Sequence, residues 1–282
     1  MKKLLQNAIA FMALAVLATG CQKMDRPAMA DYPEDANPPG GPLNFYVAFD
    51  GTSADPLMNA VDSVKANFAS QNPFTVIDGI SGKAVQGVNQ KTIKYGKPND
   101  WAVQAKSFTI SCWYKRDGQT KNNTGTNGPE YIASFKSNNG HWSGSNLLFF
   151  LEGNNAACAV KVMIADKNMA DSWFTWEGGT TIAGLLDNRW RHIAIVYDAP
   201  TSTMTLYVDG VANSNKRTWG THGNININDA AIVEMRVGAG PSDNITSDDW
   251  LASSWKGGLD QLRMYSTALT AAEVQSLYAN KK

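Results

Sequence analysis

Residues 190–212 read WRHIAIVYDAPTSTMTLYVDGVA, and this stretch decides the fold class. It holds two short apolar runs, Arg191–Tyr197 and Met204–Val208, whose β-branched and aromatic residues are typical of strands. The segment Asp198–Ser202 links them. Asp209-Gly210 then forms a second turn, of the kind that needs positive φ at both central residues and therefore favours Asp-Gly. The stretch predicts a three-stranded antiparallel meander.

Further short apolar runs precede and follow this meander, and turn-forming residues separate nearly all of them. No helical pattern of 10–15 residues alternates with the runs, which argues against a parallel α/β sheet. We therefore predict an all-β, antiparallel fold. The other predicted strands are Leu43–Phe49, Ser107–Tyr114, Tyr131–Phe135, Asn146–Leu151, Ala159–Ile164, Ala231–Val237 and Leu259–Tyr265.

Two helices are predicted. At the C-terminus, Thr270 and Glu273 have the spacing of a capping box, and an apolar stripe follows them. An apolar pattern over Asp55–Ala69 predicts a second, short helix.

Composition narrows the class of function. The 282 residues include 25 Lys+Arg and 25 Asp+Glu, so the net charge is zero. A chain this neutral is a poor partner for nucleic acid, whose binding depends on clustered positive charge. With 43% hydrophobic residues it is also not a disordered chain.

The N-terminus predicts export. Two lysines precede an apolar run over Ala8–Ala18 that is too short to span a bilayer. The run ends at Cys21 in a segment that resembles the lipobox of bacterial lipoproteins. This resemblance implies a signal peptide over 1–20, a lipid on Cys21 and a tether to an outer membrane, facing either the periplasm or the cell surface. The Pro-rich residues 21–42 are expected to form a flexible tether, followed by one domain over 43–282.

Two other cysteines, Cys112 and Cys158, occupy apolar positions within predicted strands. Small core side chains and a disulfide are both open for them, since an exported protein permits a disulfide.

Four stretches stand out, in this order: Gly82–Gly87, Phe108–Lys115, Trp190–Asp198 with Leu206–Gly210, and Gly257–Tyr278. Together they resemble laminin-G-like domains, which are concanavalin A-like lectin/glucanase jelly rolls, in a lipoprotein of Bacteroides type. The resemblance extends over about residues 45–279 and implies an antiparallel jelly-roll β-sandwich with a short C-terminal helix. One fold hosts many functions, so the resemblance does not name a ligand.

The resemblance makes glycoside hydrolysis an activity to consider. Glucanases of this superfamily carry an E-x-D-x-x-E strand, whose alternate spacing points the acids into a cleft. None of the six glutamates here, at 34, 130, 152, 177, 234 and 273, has that neighbourhood. Catalysis by an acid pair that folding brings together stays an alternative. Motifs of nucleophilic and transition-metal sites do not occur in the sequence.

Many laminin-G-like domains hold a calcium ion where the first strands meet the last. The matching positions here are Asp50 and Asp260. Asp260 shares the parity of core residues in its strand, and a carboxylate at a core edge needs a partner. One structural Ca²⁺ is therefore expected, with hydrogen bonds to turn amides as the alternative.

Aromatic side chains among polar loop residues are candidates for sugar binding, because sugars combine apolar C–H faces with hydroxyls. The candidates are Trp142, Trp173, Trp176, Trp219 and Trp250, with His141 and His222 in the same loops.

These observations favour a lipid-anchored, non-catalytic glycan-binding protein. The alternatives are a divergent glycoside hydrolase and a structural or protein-interaction module of an envelope complex.

Overall fold

The computed structural model describes residues 41–50, 57–68, 72–98, 100–118, 128–168, 170–245 and 249–281. Fifteen strands and two α-helices are found in these residues. The helices are α1 (Trp101–Gln104) and α2 (Ala271–Asn280). The strands are β1 (Leu43–Val47), β2 (Thr75–Asp78), β3 (Lys83–Gln86), β4 (Ile93–Tyr95), β5 (Phe108–Asp117), β6 (Glu130–Ser137), β7 (Ser145–Gly153), β8 (Cys158–Ile164), β9 (Ser172–Trp176), β10 (Asp187–Asp198), β11 (Thr203–Val208), β12 (Val211–Ala212), β13 (Arg217–Thr218), β14 (Ile232–Val237) and β15 (Gly258–Tyr265).

The strands form two antiparallel sheets. One runs β12-β11-β10-β5-β15-β3-β2, with β1 paired to β15 and β13 paired to β11. The other runs β4-β14-β6-β7-β8-β9. One apolar core joins residues of both sheets, so the fold is the predicted jelly-roll sandwich.

Alternation along the strands fills this core. On β5, Phe108, Ile110, Cys112 and Tyr114 are buried in it, as their shared parity predicts. The intervening residue Trp113 is also buried, but on the opposite face, where its ring stacks on Tyr278 of α2 with centroids 5.4 Å apart.

The predicted meander is confirmed. Strand β10 pairs with β11, and β11 pairs with β12. Asp209 and Gly210 both have positive φ, 49° and 77°, in the turn that joins β11 to β12.

The C-terminal helix is confirmed together with its cap. The Thr270 backbone N–H donates to Glu273 Oε2 at 2.7 Å, and the Glu273 N–H donates to Thr270 Oγ1 at 3.3 Å. Val274 is buried against Ala194 and Tyr207 on the outer face of the nine-stranded sheet.

The helix predicted over Asp55–Ala69 is wrong for residues 57–68, which form turns followed by irregular chain with an isolated β-bridge at Asn67. Asn59 and Asp62 explain the difference, because side-chain oxygens there satisfy backbone N–H groups that a helix would use. Asn59 Oδ1 accepts from Val61 N at 3.2 Å, and it also ties the segment to β1 by accepting from Tyr46 N at 2.8 Å. Asp62 Oδ1 accepts from Val64 N at 3.0 Å.

The predicted signal peptide and lipidation at Cys21, and nearly all of the tether, lie outside the described residues. Within the described part, no helix has both the length and the apolar character to cross a membrane. Cys112 and Cys158 are both buried free thiols. Burial raises the pKa of Cys158 to about 12, so this thiol is unreactive.

Candidate functional site

The outer face of the six-stranded sheet carries a second apolar cluster. Because side chains alternate along a strand, Leu148 and Phe150 of β7 and Met163 of β8 face away from the main core. They pack with Tyr131 and Ala165. An apolar face of this size is unfavourable in water, and loop residues shield part of it.

Three tryptophans lie over this cluster with their rings exposed. Trp142 is 59% exposed, Trp173 39% and Trp250 37%. The Trp250 ring lies 6.0 Å from that of Trp142 and 5.7 Å from that of Phe150, and the Trp173 ring lies 6.3 Å from that of Phe150 (centroid distances). We call Trp142, Phe150, Trp173 and Trp250 the aromatic ridge.

Local structure places each exposed ring. Trp173 is on the outer face of β9. Trp142 lies in the turn that His141 closes by accepting from Gly144 N at 2.9 Å. Trp250 begins a 3₁₀ turn whose preceding residue, Asp249, caps it by accepting from Leu251 N at 3.0 Å.

One carboxylate oxygen holds two of these indoles. Asp171 Oδ2 accepts from Trp142 Nε1 and from Trp173 Nε1, both at 3.3 Å. His141 Nε2 lies 3.4 Å from the same oxygen. Asp171 therefore orients rings from two separate segments of the chain.

On one side of the ridge lies a groove of about 480 Å³, which we call the first groove. Phe150, Trp173 and Trp250 line it together with Lys161 and other polar residues. The Lys161 ammonium lies 2.9 Å from both Glu152 Oε2 and Glu177 Oε2. Thr175 completes the polar lining.

These ion pairs set the charge states in the first groove. Burial lowers the pKa of Lys161, but hydrogen bonds to Glu177 and Glu152 outweigh it and leave the pKa above its ordinary value. The hydrogen bond from Lys161 holds the pKa of Glu177 below its usual range, against a smaller effect of burial. Lys161 and Glu177 are therefore charged at neutral pH.

On the other side of the ridge lies a second groove, of about 340 Å³. Trp142 and His141 form part of its wall. Its polar lining is rich in amides and also holds one acid and one base. These residues are Asn139, Asn146, Asn228, Asp166 and Lys167.

Two of the five candidate tryptophans do not reach the surface. Trp176 is fully buried, and its Nε1 donates to Asn215 O at 2.6 Å. Trp219 is 8% exposed and packs edge-on against Phe174, with centroids 5.2 Å apart. A ring without an exposed face cannot stack on a sugar, so the structure corrects the assignment of these two residues to ligand binding.

His222 is corrected for the same reason. Its ring stacks on Trp219 with centroids 3.7 Å apart, and its Nε2 lies 2.8 Å from the buried carboxylate of Asp166. His222 thus packs within the fold, whereas His141 lines the second groove.

Sequence reasoning missed Phe150, Asp171 and the cluster of Glu152, Lys161 and Glu177. Strand parity carried a signal for part of it, because Trp173, Thr175 and Glu177 alternate along β9 and just beyond. The meeting of Glu152 with Glu177 has no local signal, since it depends on β8 lying between their strands.

The two predicted metal ligands lie near the turn between β2 and β3. Asp260 is fully buried; its Oδ2 accepts from Ile80 N at 2.9 Å, whereas its Oδ1 has no partner in the described part of the chain. Burial, and to a smaller degree the charge of Asp50, raises the pKa of Asp260 to about 7. Asp50 Oδ1 accepts from Lys83 N at 2.9 Å.

These two carboxylates fit a calcium site in part. A buried oxygen without a partner, close to a second carboxylate, is an arrangement that a cation would stabilise. Glycines of the turn let the backbone approach, because a Cβ at Gly79 or Gly82 would overlap the carboxylates. No group of three or more His, Cys, Asp or Glu suited to a metal occurs among the described residues, so backbone carbonyls or water would supply the other ligands.

The family is decided by the chain's match to a known family model. Residues 90–275 match the model described as the concanavalin A-like lectin/glucanases superfamily. The chain belongs to this superfamily. A search of curated proteins finds no match.

Solved structures show the same concanavalin A-like fold. Domain 4 of AbnA, an extracellular arabinanase from Geobacillus stearothermophilus solved with arabinotriose, is 19% identical with a TM-score of 0.55, over 84% of this chain and 98% of that one. The binding domain of Paraclostridial Mosquitocidal Protein 1 is 16% identical with a TM-score of 0.53, over 85% and 52%. The binding domain of botulinum neurotoxin DC, solved with SialylT, is 11% identical with a TM-score of 0.56, over 86% and 52%. The chain thus aligns with about half the length of each toxin domain.

In this concanavalin A-like domain the first groove contains two carboxylates, a feature that glycoside hydrolysis would need. Two oxygens that each lie 2.9 Å from one nitrogen can be no more than twice that distance apart. A catalytic acid, however, needs a raised pKa, and that of Glu177 is lowered. Lys161 also occupies the space between the two acids.

Proposed function

We propose that this domain binds carbohydrate without cleaving it, on the aromatic ridge and in the first groove. The observation that carries the proposal is the set of three exposed indole rings beside hydrogen-bonding side chains. Flat aromatic faces suit the C–H faces of sugars, and Glu152, Lys161, Thr175 and Glu177 suit the hydroxyls around them.

Two similar structures support the proposal by the ligands they contain. AbnA domain 4 holds arabinotriose and the neurotoxin DC domain holds SialylT, and both share this fold. Their identities, 19% and 11%, do not extend to a shared ligand. The residues of the ridge therefore carry the argument for this chain.

A glycan array followed by calorimetry tests the function. The described domain should bind at least one plant, host or microbial glycan, and Trp173→Ala and Trp250→Ala should each weaken binding about tenfold or more. Val233→Ala is the matched control, because Val233 is 50% exposed on β14 of the same sheet, outside the ridge. Absence of binding across the array would refute the proposal.

Glycoside hydrolysis is a second candidate, favoured only by Glu152 and Glu177 sharing one groove. Reducing-end release from a bound glycan, lost in Glu152→Gln and Glu177→Gln, would replace the binding proposal with this one. Capture of an envelope protein through the ridge, with no glycan bound, would instead favour an interaction module.

We propose in addition one structural calcium ion held by Asp50 and Asp260. Chelation should lower the melting temperature of the wild-type protein, and added Ca²⁺ should restore it. In Asp260→Asn, which removes one charge at nearly constant shape, both shifts should disappear. No effect of chelation on the wild type would exclude the ion.

For the cellular location, we propose a lipoprotein anchored through Cys21 to the outer membrane. Metabolic labelling with a fatty-acid probe should mark the wild type and not Cys21→Ala. Equal labelling of both proteins, or labelling of neither, would contradict the anchor.

A further inference from the structure

The two grooves lie on one face of one sheet. Asn146, Leu148, Phe150 and Glu152 alternate along β7 on this face. Asn146 lines the second groove, whereas Phe150 and Glu152 line the first. Glu152 lies six positions after Asn146 along the extended strand, which corresponds to about 20 Å at ~3.3 Å per residue.

The aromatic ridge crosses this path between the grooves. Trp142 faces the second groove, and Trp173 and Trp250 face the first. Asp171 holds Trp142 and Trp173 together through one oxygen, so the two walls form one unit. Each groove alone lies within the ~300–1,000 Å³ typical of small-ligand sites.

The second groove contains a buried hydrogen-bond acceptor that lacks a donor. Asn146 is 1% exposed, and its Nδ2 donates to Ala165 O at 2.7 Å. Its Oδ1 has no hydrogen-bond partner in the described residues. A buried acceptor without a partner costs free energy unless a donor, such as a hydroxyl or a bound water, reaches it.

We propose that the ligand is an internal stretch of a linear oligosaccharide that crosses the ridge and occupies both grooves. This inference rests on the proposed carbohydrate binding and adds chain length as the recognised property. A terminal sugar would fill one groove and leave Trp142, the most exposed ring of the ridge, without a role. A chain about 20 Å long would contact both walls.

Calorimetry with size-graded oligosaccharides tests the inference. The probes are arabino-, xylo-, manno- and cello-oligosaccharides of one to six sugars, titrated into the wild-type protein. Within the series that binds, affinity should rise at least about tenfold from the disaccharide to the longest member. Trp142→Ala should remove most of that rise, whereas Trp173→Ala should weaken every length. Val233→Ala should behave as the wild type.

The outcomes separate this inference from the proposed function. Binding whose affinity does not depend on length, or that Trp142→Ala weakens equally at all lengths, overturns the inference and leaves carbohydrate binding intact. If no member of any series binds and a glycan array is also blank, both are overturned. A length-dependent gain that disappears only in Trp142→Ala supports both.

Discussion

At the scale of single residues, Asp171 organises the candidate site. Its Oδ2 atom accepts hydrogen bonds from the indoles of Trp142 and Trp173 and also faces His141. A single carboxylate therefore orders three rings from two segments of the chain. Preorganised rings lose less conformational freedom when a ligand binds.

We therefore predict that Asp171→Ala weakens glycan binding about three- to tenfold while the melting temperature changes by only a few degrees. The measurements are calorimetry and thermal unfolding. Asp171→Asn keeps an amide oxygen as acceptor and should recover most of the affinity. Equal loss in both variants would mean that the negative charge, rather than the positioning of the rings, is what matters.

A second prediction for a single residue concerns His192 and the dependence of stability on pH. It is 1% exposed, neither ring nitrogen has a partner in the described residues, and its ring faces Trp113 and Tyr278. Burial, with a smaller effect of Arg263, lowers the pKa of His192 from 6.5 to about 3. Between these pH values the unfolded chain binds a proton that the folded chain does not, so the contribution of His192 to stability falls as pH falls, by about 1.4 kcal/mol per unit.

The matched variant is His192→Gln, compared by urea unfolding from pH 6.5 down to pH 5. The difference in unfolding free energy, wild type minus variant, should decrease as pH falls. Asp260 is present in both proteins, so its contribution to the unfolding free energy cancels in this difference. Its raised pKa acts in the opposite direction, because it lowers stability as pH rises toward 7. A difference that does not change with pH would contradict the neutral, buried state of His192.

At the scale of elements, α2 depends on its first turn. The reciprocal hydrogen bonds of Thr270 and Glu273 satisfy two backbone N–H groups that would otherwise lack partners. Val274 then anchors the helix on the outer face of the nine-stranded sheet.

Thr270→Ala should lower the unfolding free energy by about 1 kcal/mol, and Val274→Ala should lower it by roughly 1–3 kcal/mol through lost burial. Denaturant unfolding measures both. Gln275→Ala, at an exposed position of the same helix, should change stability little. If Thr270→Ala matches that control, the cap does not hold α2 in solution.

At the scale of the whole molecule, ligand binding and folding are linked. The ridge combines β7 and β9 with the loops that hold Trp142 and Trp250, so it exists only in the folded state. A ligand that binds only the folded state stabilises it by about 2.7 kcal/mol at a hundredfold excess over Kd.

A binding oligosaccharide should therefore raise the melting temperature of the wild type in proportion to the logarithm of its concentration. Trp250→Ala should show a much smaller rise, and Val233→Ala the full one. A shift of equal size in all three proteins would point to a ligand site elsewhere in the domain.

Most of the fold could be predicted because it depends on local chemistry. The parity of Phe108, Ile110 and Cys112, the Asp209-Gly210 turn and the capping box of Thr270 are each decided within a few residues. The helix predicted over 55–69 is wrong at 57–68 because the prediction rested on apolar spacing alone. It did not consider Asn59 and Asp62, whose side chains accept hydrogen bonds from backbone N–H groups. Of the seven ligand-binding candidates, Trp142, Trp173, Trp250 and His141 lie at the site. Trp176, Trp219 and His222 have similar polar neighbours along the chain, but their rings pack inside.

Most of the strands, the sandwich, the C-terminal helix and the family follow from the sequence alone, because periodicity, turn chemistry and motifs act over short distances. The shorter strands β2, β3, β4, β9 and β13 were not predicted. The folded arrangement, in contrast, determines which tryptophans keep an exposed face, that Asp171 joins two of them, and that Lys161 lies between Glu152 and Glu177. These contacts join strands and loops that are distant along the chain. Their formation depends on the order of the strands in the six-stranded sheet and on which side of it each loop crosses.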